Sequence, residues 1–256
     1  MSILDEIVAA TRLRVETDKQ RGIREAHPTP LEPFAFEKAL RAPGISFICE
    51  VKKASPSKGV IAEDFPYQTI ARDYEEAGAA AVSVLTEPRF FQGADSYLTD
   101  IRGCVSLPLL RKDFTVDGFQ LEQAAAIGAD AVLLIAAVLR ESEIREFLRL
   151  ADALGLSCLV EVHDERELKT AVSCGARVLG VNNRNLRDFS VDTGGSLRLR
   201  KLAPPEMTFV SESGIRTAEE VRLLEKNGVD AVLVGEALMR STDKKTALQR
   251  LRGKEA

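Results

Sequence analysis

The sequence has 256 residues, 45% hydrophobic, 5% aromatic and 29% charged, and its 35 Lys+Arg against 39 Asp+Glu leave a net charge of −4. No apolar run reaches the roughly 18 uncharged residues of a membrane-spanning helix, and a slightly acidic chain lacks the basic stripe of a nucleic-acid binder. Residues 1–6 lack the basic-then-apolar layout of a secretory leader, so a cytoplasmic protein is expected.

Residues 1–45 stand apart from the rest of the chain. Ile3, Leu4, Ile7, Val8 and Leu13 recur at helical spacing behind Ser2, a favourable N-cap. Pro28, Pro30 and Pro33 impose an extended stretch, and residues 36–41 suit a short helix. This segment reads as a helical extension covering one end of a domain formed by residues 46–256.

From there one pattern recurs eight times. A β-branched or Leu-rich run is followed by polar or Gly residues and then an amphipathic stretch. The runs are 47–53, 81–87, 107–113, 131–138, 157–163, 178–183, 208–213 and 231–238. Their spacing of roughly 21 to 34 residues leaves room for one right-handed crossover helix each time. Thr217-Ala-Glu-Glu is a capping box opening a helix through Glu225. Gly78, Gly128, Gly175 and Gly228 each stand where a helix must end before the next run. Eight alternations predict an α/β fold, a single (β/α)8 TIM barrel with an N-terminal helical extension. A doubly wound open sheet is the alternative, and it would carry a Gly-x-Gly-x-x-Gly loop behind its first strand. That loop is absent.

Cysteine and histidine narrow the chemistry. Cys49, Cys104, Cys158 and Cys174 show no C-x-x-C spacing, and Cys49 and Cys158 lie within apolar runs as small buried hydrophobes. The two histidines, His27 and His163, have no second histidine at ligand spacing, which disfavours a protein-built zinc site. A Cys-His or Ser-His nucleophilic pair would depend on His163 alone.

Side-chain parity then sorts chemistry from core, because alternate residues of a barrel strand face inward and outward. On the first run Glu50 and Lys52 oppose Cys49 and Val51. Since the outer face must be apolar, the charged pair points inward near the strand's C-terminal end. The same test turns Lys112, Glu161, Asn182 and Glu212 inward. Six polar groups from five strands thus converge on the C-terminal mouth, where barrel enzymes place their chemistry. A structural ion network is the other reading, but burying charge is costly and Val, Ile or Leu would serve stability better. A lysine in such a mouth is pushed toward neutrality by burial and a second lysine, and toward charge by Glu50 or Glu161. Sequence leaves that contest open. Gly214 and Gly235 stand in the turns after the seventh and eighth runs, the usual phosphate position in barrels.

The motifs 48–59 (ICEVKKASPSKG), 84–87 with 90–93, 110–114 (LRKDF), 159–163 (LVEVH), 180–186 (GVNNRNL) and 211–215 (SESGI) together resemble the indole-3-glycerol phosphate synthase family. The resemblance implies a carboxy-lyase of tryptophan biosynthesis. Such an enzyme closes the indole ring of 1-(2-carboxyphenylamino)-1-deoxyribulose 5-phosphate with loss of CO₂ and water. It implies no metal or organic cofactor, a small phosphosugar substrate, neither nucleic acid nor membrane as partner, and a monomer or weak homodimer.

By matching position, Lys112 would be the general acid, Glu161 the general base, and Lys52 the partner of the departing carboxylate or a sharer of acid duty. Glu50 would orient the lysines, Asn182 and Glu212 would hold sugar hydroxyls, and Arg184 would assist near the reacting end. Phosphate would rest on Ser55, Ser213, Gly214, Gly235 and the backbone of Glu236, and Phe91, Phe114 and Leu133 would wall the aromatic ring. Ile135 is a further wall candidate. Ordinary barrel packing remains an equal reading for Leu133 and Ile135. A sister phosphosugar barrel, a Schiff-base aldolase using Lys112, or a catalytically silent barrel scaffold are the competing functions.

Overall fold

The computed structural model describes residues 2–23, 31–184 and 190–254. His27, Pro28, Pro30, Asn185 and Leu186, all singled out above, lie outside the described residues. Eight parallel strands form a closed barrel: β1 (Ser46–Val51), β2 (Ala81–Leu85), β3 (Leu109–Lys112), β4 (Ala131–Ile135), β5 (Ser157–Val162), β6 (Val178–Asn182), β7 (Thr208–Glu212) and β8 (Ala231–Val234). Closure comes from β1, which pairs with β2 on one side and β8 on the other.

Helices α1 (Ile3–Arg21) and α2 (Ala35–Leu40) precede the barrel. Then α3 (Tyr67–Glu76), α4 (Asp95–Arg102), α5 (Phe119–Ala126), α6 (Glu141–Ala153), α7 (Glu165–Cys174), α8 (Gly194–Arg200) and α9 (Ala218–Lys226) follow strands β1 to β7 in turn. A short α10 (Glu236–Met239) and then α11 (Lys244–Leu251) follow β8. Among the described residues no helix is long and apolar enough to cross a membrane.

Alternation along each strand builds two separate cores. Outward residues such as Cys49, Val51, Val84, Val132, Val160, Val181 and Phe209 pack beneath the helices. Inward residues Ile48, Leu110, Leu133, Leu159, Val178, Val210 and Leu233 fill the barrel. Local signals act as their chemistry dictates. Ser2 and Thr217 accept from the N3 amides of α1 and α9 in full capping boxes. Gly78, Gly128, Gly175 and Gly228 take φ of 84°, 91°, 91° and 78° at helix ends.

The extension reaches both ends of the barrel rather than one. At the N-terminal end of the strands, Phe36 and Leu40 of α2 are fully buried within the interior core. At the other end Ile3, Leu4 and Ile7 of α1 form part of the wall of the cavity described below. Arg14 Nη2 ties α1 down, 2.8 Å from each oxygen of Asp113 just past β3.

Other expectations need correction as well. Leu13 is 73% exposed, because α1 buries the face carrying Ile7, Thr11 and Val15 instead. The run 231–238 is a strand only to Val234; Gly235 ends it, and residues 236–239 coil into α10. An antiparallel hairpin, Ala54–Ser55 with Gly59–Val60, stands in the loop after β1 where no strand was expected.

Candidate active site

A cavity of about 370 Å³ opens at the C-terminal ends of the strands. Its lining includes Glu50, Lys52, Ser55, Phe91, Lys112, Phe114, Leu133, Glu161, Asn182, Arg184, Glu212, Ser213, Gly214, Gly235 and Glu236. Every site residue named from the sequence therefore faces one space. Leu133 and Ile135 serve both readings offered for them, since they line this cavity and belong to the interior core.

Strand register sets the floor. Glu161 and Glu212 are each 2% exposed, and Lys112 Nζ lies 3.7 Å from an oxygen of each. Across the barrel Lys52 hydrogen-bonds Glu50, which is 4% exposed. Two glycines make this crowding possible. A Cβ on Gly180 would strike the Glu212 carboxylate, and one on Gly235 would strike Glu50 and Lys52. Gly235 therefore provides room for the ion pair as well as a turn toward the rim.

Electrostatics resolves the contest left open by the sequence. Burial disfavours charge on Lys112, but Glu212, Glu161 and Glu50 outweigh it and raise its pKa, so the ammonium is kept. Burial likewise opposes ionisation of Glu50, yet Lys52 and Lys112 bring its pKa below the ordinary value. Glu212 goes the other way. Burial, then the charges of Glu161 and Glu50, outweigh Lys112 and push it up to about 8. Its Oε1 is buried without a hydrogen-bond partner, an arrangement suited to a substrate hydroxyl.

The rim is shaped by loops. Ser213 and Gly214, just past β7, have φ of 68° and 83°. Asn183 fixes this turn, donating from Nδ2 to Ser213 O and Ser211 Oγ at 3.1 Å each. Lys58 and Arg240 lie 3.7 and 3.1 Å from the Glu236 carboxylate, and Arg184 lies 3.8 Å away. On the β2 side, buried Glu87 accepts hydrogen bonds from the amides of Arg89, Phe90 and Phe91 at 3.0, 2.6 and 3.0 Å. That grip presents Phe91 at 6.0 Å, centroid to centroid, from Phe114.

Sequence reasoning missed the wall supplied by α1, the Glu87 cradle, the Asn183 hub and Arg240. It considered His163 only as the partner of a nucleophilic serine or cysteine, whereas the ring stands between Glu161 and Glu167. Strand parity could have found it, since His163 follows Glu161 by two residues. The others depend on loop conformation and long-range packing.

A closed parallel barrel with ammonium and carboxylate groups crowded at the C-terminal ends of its strands defines a (β/α)8-barrel enzyme architecture. The family model described as indole-3-glycerol phosphate synthase matches residues 4–251, and the chain belongs to that family. The indole-3-glycerol phosphate synthase of Ruminiclostridium cellulolyticum is 55% identical over 257 residues, spanning 98% of this chain and 99% of that protein. Its counterpart in Endomicrobium trichonymphae is 55% identical over 245 residues, spanning 93% and 95%. Among solved structures, thiamine phosphate pyrophosphorylase from Pyrococcus furiosus superposes with a TM-score of 0.62 at 21% identity, over 84% of this chain and 96% of that one. That last likeness is one of fold.

Proposed function

We propose that the chain carries out its family's carboxy-lyase reaction through the side chains on the barrel floor, converting 1-(2-carboxyphenylamino)-1-deoxyribulose 5-phosphate to indole-3-glycerol phosphate. The observation that carries this reading is Lys112 Nζ at 3.7 Å from both Glu161 and Glu212 on the floor of the cavity at the C-terminal ends of the strands. Lys112 gives its proton to the ketone oxygen as the aromatic carbon attacks. Its carboxylate neighbours keep that proton in place before reaction, and the water-poor setting strengthens its pull on developing negative charge.

Lys52 receives the substrate carboxylate that departs as CO₂, with Glu50 fixing the ammonium. Glu161 is the general base of the dehydration. Asn182 and Glu212 hold sugar hydroxyls, Glu212 as a largely protonated acid near neutral pH. Arg184 assists near the reacting end. Phosphate rests on Ser55, Ser213, Gly214 and Gly235 with the backbone of Glu236, while Phe91, Phe114 and Leu133 flank the anthranilate ring. The α1 residues that wall the cavity make the segment 1–45 a working part of the catalytic unit 46–256.

Product fluorescence after addition of the carboxyphenylamino substrate tests the reading. Turnover by the native chain and its loss in Lys112→Ala, with the fold retained, is the expected result. A covalent adduct on Lys112 trapped by borohydride would favour Schiff-base chemistry and overturn the assignment.

A further inference from the structure

His163 lies just past β5 and outside the wall of the cavity, yet it touches the group on which dehydration depends. Its Nε2 is 3.5 Å from Glu161 Oε1, buried, and without a hydrogen-bond partner. Its Nδ1 is 3.2 Å from Glu167 Oε2 in the first turn of α7, and the same oxygen accepts the His163 amide at 2.8 Å. Glu167 is in turn held at the helix start, where its amide donates to Asp164 Oδ1 at 2.8 Å. The result is a line of four groups. It runs from a side chain 20% exposed (Glu167), through the imidazole, to a buried carboxylate (Glu161) and on to Lys112.

The reaction has a use for such a line. When the substrate carboxylate leaves as CO₂, the electrons of its bond stay with the ring system. The ketone oxygen leaves as water and needs two protons. One comes from the substrate's own C–H through the base. The other must come from solvent, so each turnover draws in one proton.

We propose that His163, clamped by Glu167, is a positioning residue that fixes Glu161 and passes to it the proton that each turnover draws from solvent. The proposal rests on the reading of Glu161 as the base and Lys112 as the acid. A proton taken up by Glu167 moves from Oε2 to Nδ1, the Nε2 proton moves to Glu161 Oε1, and Glu161 restores Lys112 across 3.7 Å. At each transfer one N–H or O–H bond breaks as the next forms, and the ring returns to its starting tautomer by turning about its Cβ–Cγ bond, which carries both nitrogens away from their carboxylates to exchange protons with water. The groups facing the imidazole are Glu161 from β5, Glu167 from α7 and Glu212 from β7, with Lys112 beyond Glu161. Burial disfavours a charged ring, but Glu167 and Glu161, and least of all Glu212, raise its pKa above the ordinary value.

The test compares Glu161→Gln, His163→Ala, His163→Asn and Glu167→Gln in the full chain by steady-state product fluorescence across pH. Both His163 variants should lower kcat about tenfold or more, with KM within about twofold of wild type and the acid limb of the kcat profile displaced. Glu167→Gln should give a smaller loss in the same direction. Added imidazole should restore kcat to His163→Ala. Wild-type kcat and pH profile in His163→Asn would overturn the proposal, as would a His163→Ala deficit that imidazole leaves untouched. Glu161→Gln separates the two ideas. If it is inactive while the His163 variants are normal, only the relay fails; if it turns over normally, the base assignment fails and the relay with it.

Discussion

The two ends of the barrel are built from the same strands and the same inward face, yet they solve opposite problems. At the N-terminal end the inward positions are apolar or carry hydroxyls (Ser46, Ser157, Thr208) bonded to α2 and its C-cap, and Phe36 and Leu40 plug the opening. Glu37 of α2 is there engaged by Arg177 Nε and Nη2 at 2.9 to 3.1 Å. At the C-terminal end the inward positions become Glu50, Lys112, Glu161 and Glu212, which face a cavity and leave a Glu212 oxygen unpartnered. One end lowers the free energy of the fold, and the other spends part of that stability on groups whose partners arrive with substrate.

Mutations should separate the ends cleanly. Lys112→Ala and Glu161→Gln should each lower kcat by roughly 10² to 10⁴, as loss of a general acid or base does; the melting temperature should hold in Glu161→Gln and fall in Lys112→Ala, which leaves buried carboxylates without their cation. Near-wild-type turnover in Lys112→Ala would reject its role. At the other end Phe36→Ala empties a fully buried site and should cost about 3–5 kcal/mol in denaturant unfolding. The folded fraction should keep its kcat/KM; a parallel loss of activity would show that the plug shapes the mouth.

Effects on the rim should be smaller. Gly214→Ala places a Cβ at φ 83° and against Val191 and Thr193, so KM should rise about tenfold while kcat changes little. A fixed KM with reduced kcat would remove phosphate from this turn. Arg14→Ala leaves buried Asp113 without its closest cation and should cost about 1–3 kcal/mol. Faster proteolysis within α1 is the expected companion, and unchanged cleavage would show that Arg14 does not anchor it.

How much of this contrast was legible depended on the range of the interaction. The strands, the inward turn of Glu50, Lys112, Glu161, Asn182 and Glu212, and the helix ends at Gly78 or Thr217 follow from period-two alternation and local capping, both of which a linear chain displays. The placement of α1 over the mouth does not, because it depends on an Arg14–Asp113 pair 99 residues apart. Its apolar spacing even favoured Leu13, which lies on the solvent side. The Glu87 cradle was hidden for another reason. A run of strand-forming residues carried the expected strand through Glu87, whereas the chain leaves the sheet after Leu85 and folds its next amides back onto that carboxylate. The state of Lys112 was undecidable, since burial and carboxylates act with opposite sign and only distances weigh them.

The pH dependence of stability is the most direct measure of how the mouth trades stability for chemistry. Glu212 titrates near 8 in the folded chain against an ordinary 4.5, so the folded state binds its proton more tightly than the unfolded state does. Below about pH 4.5 both states are protonated and the site carries no penalty. As pH rises from there, the unfolded state gains from ionising while the folded state does not, so this contribution to stability is lost progressively up to about pH 8 and then levels off. Glu212→Gln cannot ionise and escapes that loss. Urea unfolding of the two proteins should therefore diverge between pH 5 and 8, the Gln variant gaining on wild type as pH rises. Curves that stay parallel across that window would mean that Glu212 ionises as an ordinary carboxylate, and that Lys112 rather than burial governs it.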